Sequence, residues 1–149
     1  MITVCDNRQE VIEFMALPEV SRYAREYGSG ELTFTSKELW LLYDDKGMIN
    51  IHVETGAMCQ FHPYILKRHK TLYNSMVREF FEWFVCNMPA EAVKLNAVIP
   101  DIFKGAILAA ERAGMTLEGV DSLSYRSANG VHDRLMFGIS REQMRSQNG

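Results

Sequence analysis

Apolar and polar positions along this chain mark out its elements one after another. Residues 1–5 alternate enough for a short strand. Asp6 or Asn7 is placed to cap a helix over 8–16, with Val11, Ile12, Phe14 and Met15 as its apolar side. Pro18 suits the first turn of a second helix, over 18–27, which Gly28-Ser29-Gly30 stops. Strands are predicted next at 32–35, 39–44 and 48–54, the last two joined by the turn Asp45-Lys46-Gly47. A strand at 57–66 leads to a long helix over 71–88, a short strand at 94–100 and a helix over 102–115 closed by Gly114. The chain then ends in a hairpin, 120–126 with 131–140, around Ser127-Ala128-Asn129-Gly130, where Asn-Gly is a strong turn signal. With no repeat, low-complexity segment or linker, residues 1–149 read as one α+β domain with a mixed sheet.

The hairpin of 48–54 with 57–66 carries the most detailed pattern. A three-residue loop, Glu54-Thr55-Gly56, sets Val53 opposite Ala57, Ile51 opposite Cys59 and Ile49 opposite Phe61, with Gly56 in the left-handed position. A two-residue loop would mix polar and apolar groups on both faces. The three-residue register leaves one face for the core and aligns Asn50, His52, Gln60 and His62 on the other, as His52 with Met58, Asn50 with Gln60 and Met48 with His62. Such a row is either a ligand-facing surface or a covered face whose polar groups are merely satisfied. Pro63 cannot donate to a ladder, so its strand has one side open there, exposing backbone groups to a ligand.

Composition narrows the field only a little. At 149 residues the chain can bury a proper core, and 47% apolar with 23% charged residues is ordinary for a globular protein. The net charge of −3 argues against a duplex-binding protein. No apolar run reaches the length of a membrane span, and Asp6, Arg8 and Glu10 are incompatible with a signal-peptide h-region. Three cysteines without a paired metal spacing point to a reduced cytosolic setting, with Cys5 and Cys59 as inert core residues. His52, His69 and His132 have no metal-ligand spacing either, so no metal is expected.

Candidate chemistry concentrates after Pro63. Lys67, Arg68, His69 and Lys70 stand directly before the long helix, where the first N–H groups have no internal partner. Cations at a helix start oppose its dipole, so an anion bound there relieves a penalty. The plain alternative is a solvated basic turn. In the long helix, Phe80, Phe81, Trp83 and Phe84 cannot all face one side, so either both faces are covered or part of the stripe is an interface. Burial in the core is the simpler expectation.

This order of elements resembles the GNAT (Gcn5-related N-acetyltransferase) fold over nearly the whole chain, and His62-Pro63-Tyr64 is similar to a stretch found in small GNAT-like proteins of tailed bacteriophages. In that family antiparallel strands lead to one that parts from its neighbour, followed by a pyrophosphate-binding loop and helix, a strand, a helix and a closing hairpin. The resemblance implies an acyl-CoA N-acyltransferase fold, a central, mostly antiparallel mixed sheet flanked by about four helices. The loop pattern Arg/Gln-x-x-Gly-x-Gly/Ala places Arg68 on the Arg/Gln position, with Thr71 and Tyr73 where glycines stand in the family. The later pattern Asn-x-x-Ala-x-x-Leu-Tyr-Glu-Lys-x-Gly-Phe is met by Ala106, Glu111, Arg112, Gly114 and Met115. Phe103 replaces its Asn, and Ala110 replaces the Tyr that often acts as general acid.

What the resemblance implies is acetyl transfer from acetyl-CoA, as co-substrate, to an amine, which a host protein could supply. Its cofactor contacts would run along Ile65, Leu66, Arg68, His69, Lys70, Thr71, Leu72 and Tyr73. His62 or Glu54 would be the base that deprotonates the amine, and an unperturbed histidine titrates near neutral pH. Tyr64 or Tyr125 would protonate the leaving thiolate. The replaced glycines and tyrosine favour a competing reading, a non-catalytic phage protein that keeps the fold to bind a host or virion partner. Both readings imply a bacterial cytoplasmic or virion setting, no nucleic acid, no membrane, and room for homo-oligomers.

Overall fold

The computed structural model describes residues 1–24 and 34–147. Seven strands form one sheet in the order β1-β2-β3-β4-β5-β7-β6: β1 (Ile2–Val4), β2 (Glu38–Tyr43), β3 (Gly47–Val53), β4 (Met58–Ile65), β5 (Lys94–Pro100), β6 (Thr116–Ser127) and β7 (Gly130–Ser140). Among the described residues only β4 and β5 pair in parallel. The helices among the described residues are α1 (Arg8–Ala16), α2 (Pro18–Ala24), α3 (Tyr73–Asn87), α4 (Lys104–Arg112) and α5 (Arg141–Gln147), and a 3-10 helix, Lys67–Leu72, leads into α3. None of these helices is long and apolar enough to cross a membrane.

Local chemistry explains several bounds. Asn7 caps α1, its side-chain oxygen accepting from the N–H groups of Gln9 and Glu10 at 3.0 and 3.2 Å. Gly114, at φ +88°, ends the α4 segment in the left-handed region that favours glycine. The second helix is seen as Pro18–Ala24, and its expected remainder lies outside the described residues. So does most of the strand expected at 32–35, of which Phe34 and Thr35 are not in a strand. The closing hairpin is longer than expected, since Thr116 already pairs with Gly138. α5 is a further correction, because the chain ends in a helix after that hairpin.

The register of β3 with β4 also needs correcting. Ile51 pairs with Phe61, Val53 with Cys59 and Asn50 with His62, a shift of two residues from the expected pairing. The Thr55 hydroxyl accepts from the N–H groups of Ala57 and Met58, both at 3.1 Å, which lengthens the loop, and Gly56 is not left-handed. Because side chains alternate with a period of two, the shift leaves every residue on its expected face.

The two faces have different covers. On one, Leu41, Ile49, Ile51, Phe61, Leu95, Phe137 and Ile139 pack with α3, α4 and α5. Phe80, Phe81 and Phe84 are fully buried there, with Trp83 half-buried against the same cluster. The aromatic stripe is therefore core, and α5, through buried Met144, covers the side of α3 that the sheet does not reach. Arg141 fixes that helix. Its guanidinium donates to the carbonyls of Val85, Met88, Pro89 and Ala92 at 2.6 to 3.1 Å, serving the end of α3 and the loop that follows it. On the other face, α1 and α2 bury Val11, Met15 and Val20 against Trp40, Met48 and Leu66. Cys59 is buried as expected, whereas Cys5 is only half-buried and Cys86 is exposed.

Candidate active site

The parallel ladder of β4 and β5 consists of Met58 with Lys94, Cys59 with Leu95 and Gln60 with Asn96, and there it stops. β4 continues on β3 as far as Ile65 opposite Gly47, and β5 continues on β7 as far as Pro100 opposite Arg134. Residues 61–65 therefore have one paired edge and one open edge, with Pro63 on the open stretch. The two strands part into a cleft, as the proline predicts.

On the α1–α2 face, the wall of this cleft is polar. Asn50 lies opposite His62, and His52 opposite Gln60. Asn50 and Asn96 are 7% and 5% exposed, and Asn50 Nδ2 and Asn96 Oδ1 have no hydrogen-bond partner among the described residues. Buried amide groups without partners cost free energy that a bound polar ligand would recover. Asn96 escaped sequence reasoning because it is a single polar position in the mostly apolar run that follows Lys94.

His62 is set in dense protein surroundings. Burial, then the nearby charges of His52 and Arg134, lower its pKa from 6.5 to about 4. It is thus a neutral imidazole throughout the physiological range, which corrects the expectation of titration near neutral pH. His52 lies between two carboxylates, with Nδ1 3.8 Å from Glu38 and Nε2 3.6 Å from Glu54. Glu54 sits beyond the end of β3, at the far end of the hairpin from the open edge, and reaches the row only through His52.

Tyr64, Tyr73 and Tyr125 come together from β4, the start of α3 and β6. Burial raises the Tyr64 pKa, with smaller contributions from Tyr73 and Tyr125, and burial raises that of Tyr73. Tyr64 and Tyr73 therefore hold their protons at neutral pH, the state a general acid needs. Phe103 packs edge-on against Tyr125 at 5.8 Å and against Tyr23 of α2 at 5.4 Å. The residue standing where the family has Asn is thus the centre of an aromatic bridge from α2 to β6.

At the end of β4 the basic turn is a 3-10 helix, so α3 begins at Tyr73 rather than at 71. Lys67, Arg68 and Lys70 are exposed, and none of their side chains is ion-paired among the described residues. Arg68 Nε donates to His69 Nε2 at 3.2 Å. Two amides of the turn are already used, the His69 N–H donating to the Leu66 carbonyl at 2.8 Å. Glu19 of α2 accepts from the Lys67 N–H at 2.7 Å, so the first group of the turn has a carboxylate on it. Of the remaining residues expected to contact a cofactor, Ile65 and Leu72 pack against the core, Leu66 is buried under α1–α2, and Thr71 is exposed. No cluster of metal-ligating side chains occurs among the described residues.

No protein-family model and no curated protein matches this chain. Solved structures do. Mutant forms of the spermidine/spermine N-acetyltransferase SpeG from Vibrio cholerae align with a TM-score of 0.78 at 9% identity, over 99% of this chain and 98% of the other. The same enzyme in complex with CoA and spermine gives 0.77 at 10% identity, over 97% and 96%. A protein proposed to be a phosphinothricin N-acetyltransferase gives 0.72 at 12%, over 95% and 99%. The mixed sheet, its parted strands and the flanking helices are those of the GNAT acyl-CoA N-acyltransferase fold, which this chain shares.

Proposed function

We propose that the protein is an acyl-CoA-dependent N-acetyltransferase acting on an amine. The observation that carries this is the cleft opened after Gln60 and Asn96, which leads to a turn bearing three exposed cations. In this reading the β4 edge at 61–65 receives the pantetheine arm, and Arg68 and Lys70 take the pyrophosphate charge. The amine nitrogen attacks the thioester carbonyl carbon, the C–S bond breaks, and CoA leaves as a thiolate that takes a proton from Tyr64 or Tyr125. The products are the acetamide and CoA-SH. Neutral His62 accepts the amine proton. Its low basicity makes it a transfer point rather than a store, and His52 with Glu38 and Glu54 offers the next acceptors on the same face.

The test is release of CoA-SH from acetyl-CoA with a panel of amines. Wild-type protein should turn over at least one amine, and His62→Ala should lose that activity. Glu19 on the Lys67 amide, and Thr71 and Tyr73 in the glycine positions, favour a second reading. In it a phage-type protein keeps this fold to bind a host or virion protein. Absence of any CoA ester binding would select that reading.

A further inference from the structure

A second cavity lies away from the cleft, between the start of α1, the strand pair β1–β2 and Phe34. Its volume is about 250 Å³, and Cys5, Asp6, Arg8, Phe34, Glu38 and Trp40 line it. Two of these residues carry unanswered polar atoms. Among the described residues, Trp40, 8% exposed, has no acceptor for its Nε1–H, and the buried Glu38 Oε2 has no donor. The rings of Phe34 and Trp40 stand 6.3 Å apart at 50°, forming an aromatic wall. Arg8 lies over Phe34 at 5.2 Å. Asp6 and Glu38 outweigh that one cation, so the lining is negative.

Resting on the amine-acetylating reading above, we infer that this cavity holds a second, distal ammonium of the acceptor, so that the acceptors are long diamines or polyamines. An ammonium has the donors this lining requires. One N–H meets Glu38 Oε2, another carries a water that accepts from Trp40 Nε1, and the charge lies against the aromatic wall. The distance is set by the sheet. Trp40 pairs with Asn50 and Asn50 with His62, so two strand spacings put Trp40 about 10 Å from the base. Glu38 connects the two places, because its Oε1 is the atom 3.8 Å from His52 Nδ1.

The experiment compares octamethylenediamine with octylamine, which has the same stem and lacks the distal charge. Isothermal titration of the protein without acetyl-CoA should show the diamine binding about ten-fold tighter. Glu38→Gln should abolish that preference, and Glu38→Asp, which keeps the charge, should restore part of it. Equal affinities in the wild type, or an undiminished preference in a folded Glu38→Gln protein, would overturn the inference. Because the titration involves no acyl transfer, a protein that prefers the diamine but never releases CoA-SH contradicts the proposed activity and leaves the cation site standing.

Discussion

Gln60 and Asn96 form the last pair of the one parallel ladder among the described residues, and beyond them β4 and β5 go separate ways. That one parting gives the protein its cleft. Near it, Asn96 Oδ1 and Asn50 Nδ2 are buried without a hydrogen-bond partner among the described residues, and a backbone-like ligand could supply one to each.

His62 makes stability depend on pH. Its folded pKa, about 4, lies below the unfolded value of 6.5, so the unfolded chain binds the proton first. Stability is therefore fully present above pH 6.5 and falls as pH drops toward 4, by roughly 3 kcal/mol at most for this one group. Urea titrations of wild type and His62→Gln between these limits check this. The variant should show a shallower loss, and parallel slopes would mean that His62 is not held neutral by the fold.

Gly47 supports the site from below. A Cβ there would meet the Tyr64 carbonyl oxygen at 2.7 Å and Met76 Sδ at 2.8 Å. The sulfur can move, but the carbonyl belongs to β4. Gly47→Ala should cost about 1–3 kcal/mol and displace the strand that carries His62. Chemical denaturation would measure the loss, and an unchanged midpoint would show that β4 yields freely.

Arg141 is expected to be worth more than its position near the chain end suggests. Arg141→Ala removes the guanidinium donor from the carbonyls of Val85, Met88 and Ala92, at about 1–3 kcal/mol for each group that water cannot reach, while the Pro89 carbonyl keeps the Ala92 N–H. Arg141→Lys cannot reproduce a fork serving four acceptors and should rescue little. Thermal melts of both variants test this, with a wild-type midpoint in Arg141→Lys as the contrary result.

Much of this was legible in the residues because the relevant signals are local. Asp6 or Asn7 marks the start of α1, which Asn7 caps, and Lys94 to Pro100 reads as a strand with the bounds it has. The polar face of β3 and β4 could be read correctly with its register two residues out, because alternation fixes a face and says nothing of a shift by two. α5 was missed because its one buried residue, Met144, gives no periodicity to find. Glu19 reaching the Lys67 amide spans 48 residues of sequence, and the low pKa of His62 comes from burial, then from His52 and from Arg134 on a distant strand. Neither is written in a local pattern.

Thermal melting with acetyl-CoA tests the central claim most directly. At about 100-fold above its Kd a ligand adds about 2.7 kcal/mol, which for a domain of this size raises Tm by roughly 5–10 °C. The account predicts that rise in the wild type and its loss in Arg68→Ala combined with Lys70→Ala. No rise at millimolar acetyl-CoA, or an equal rise in the double variant, would contradict it.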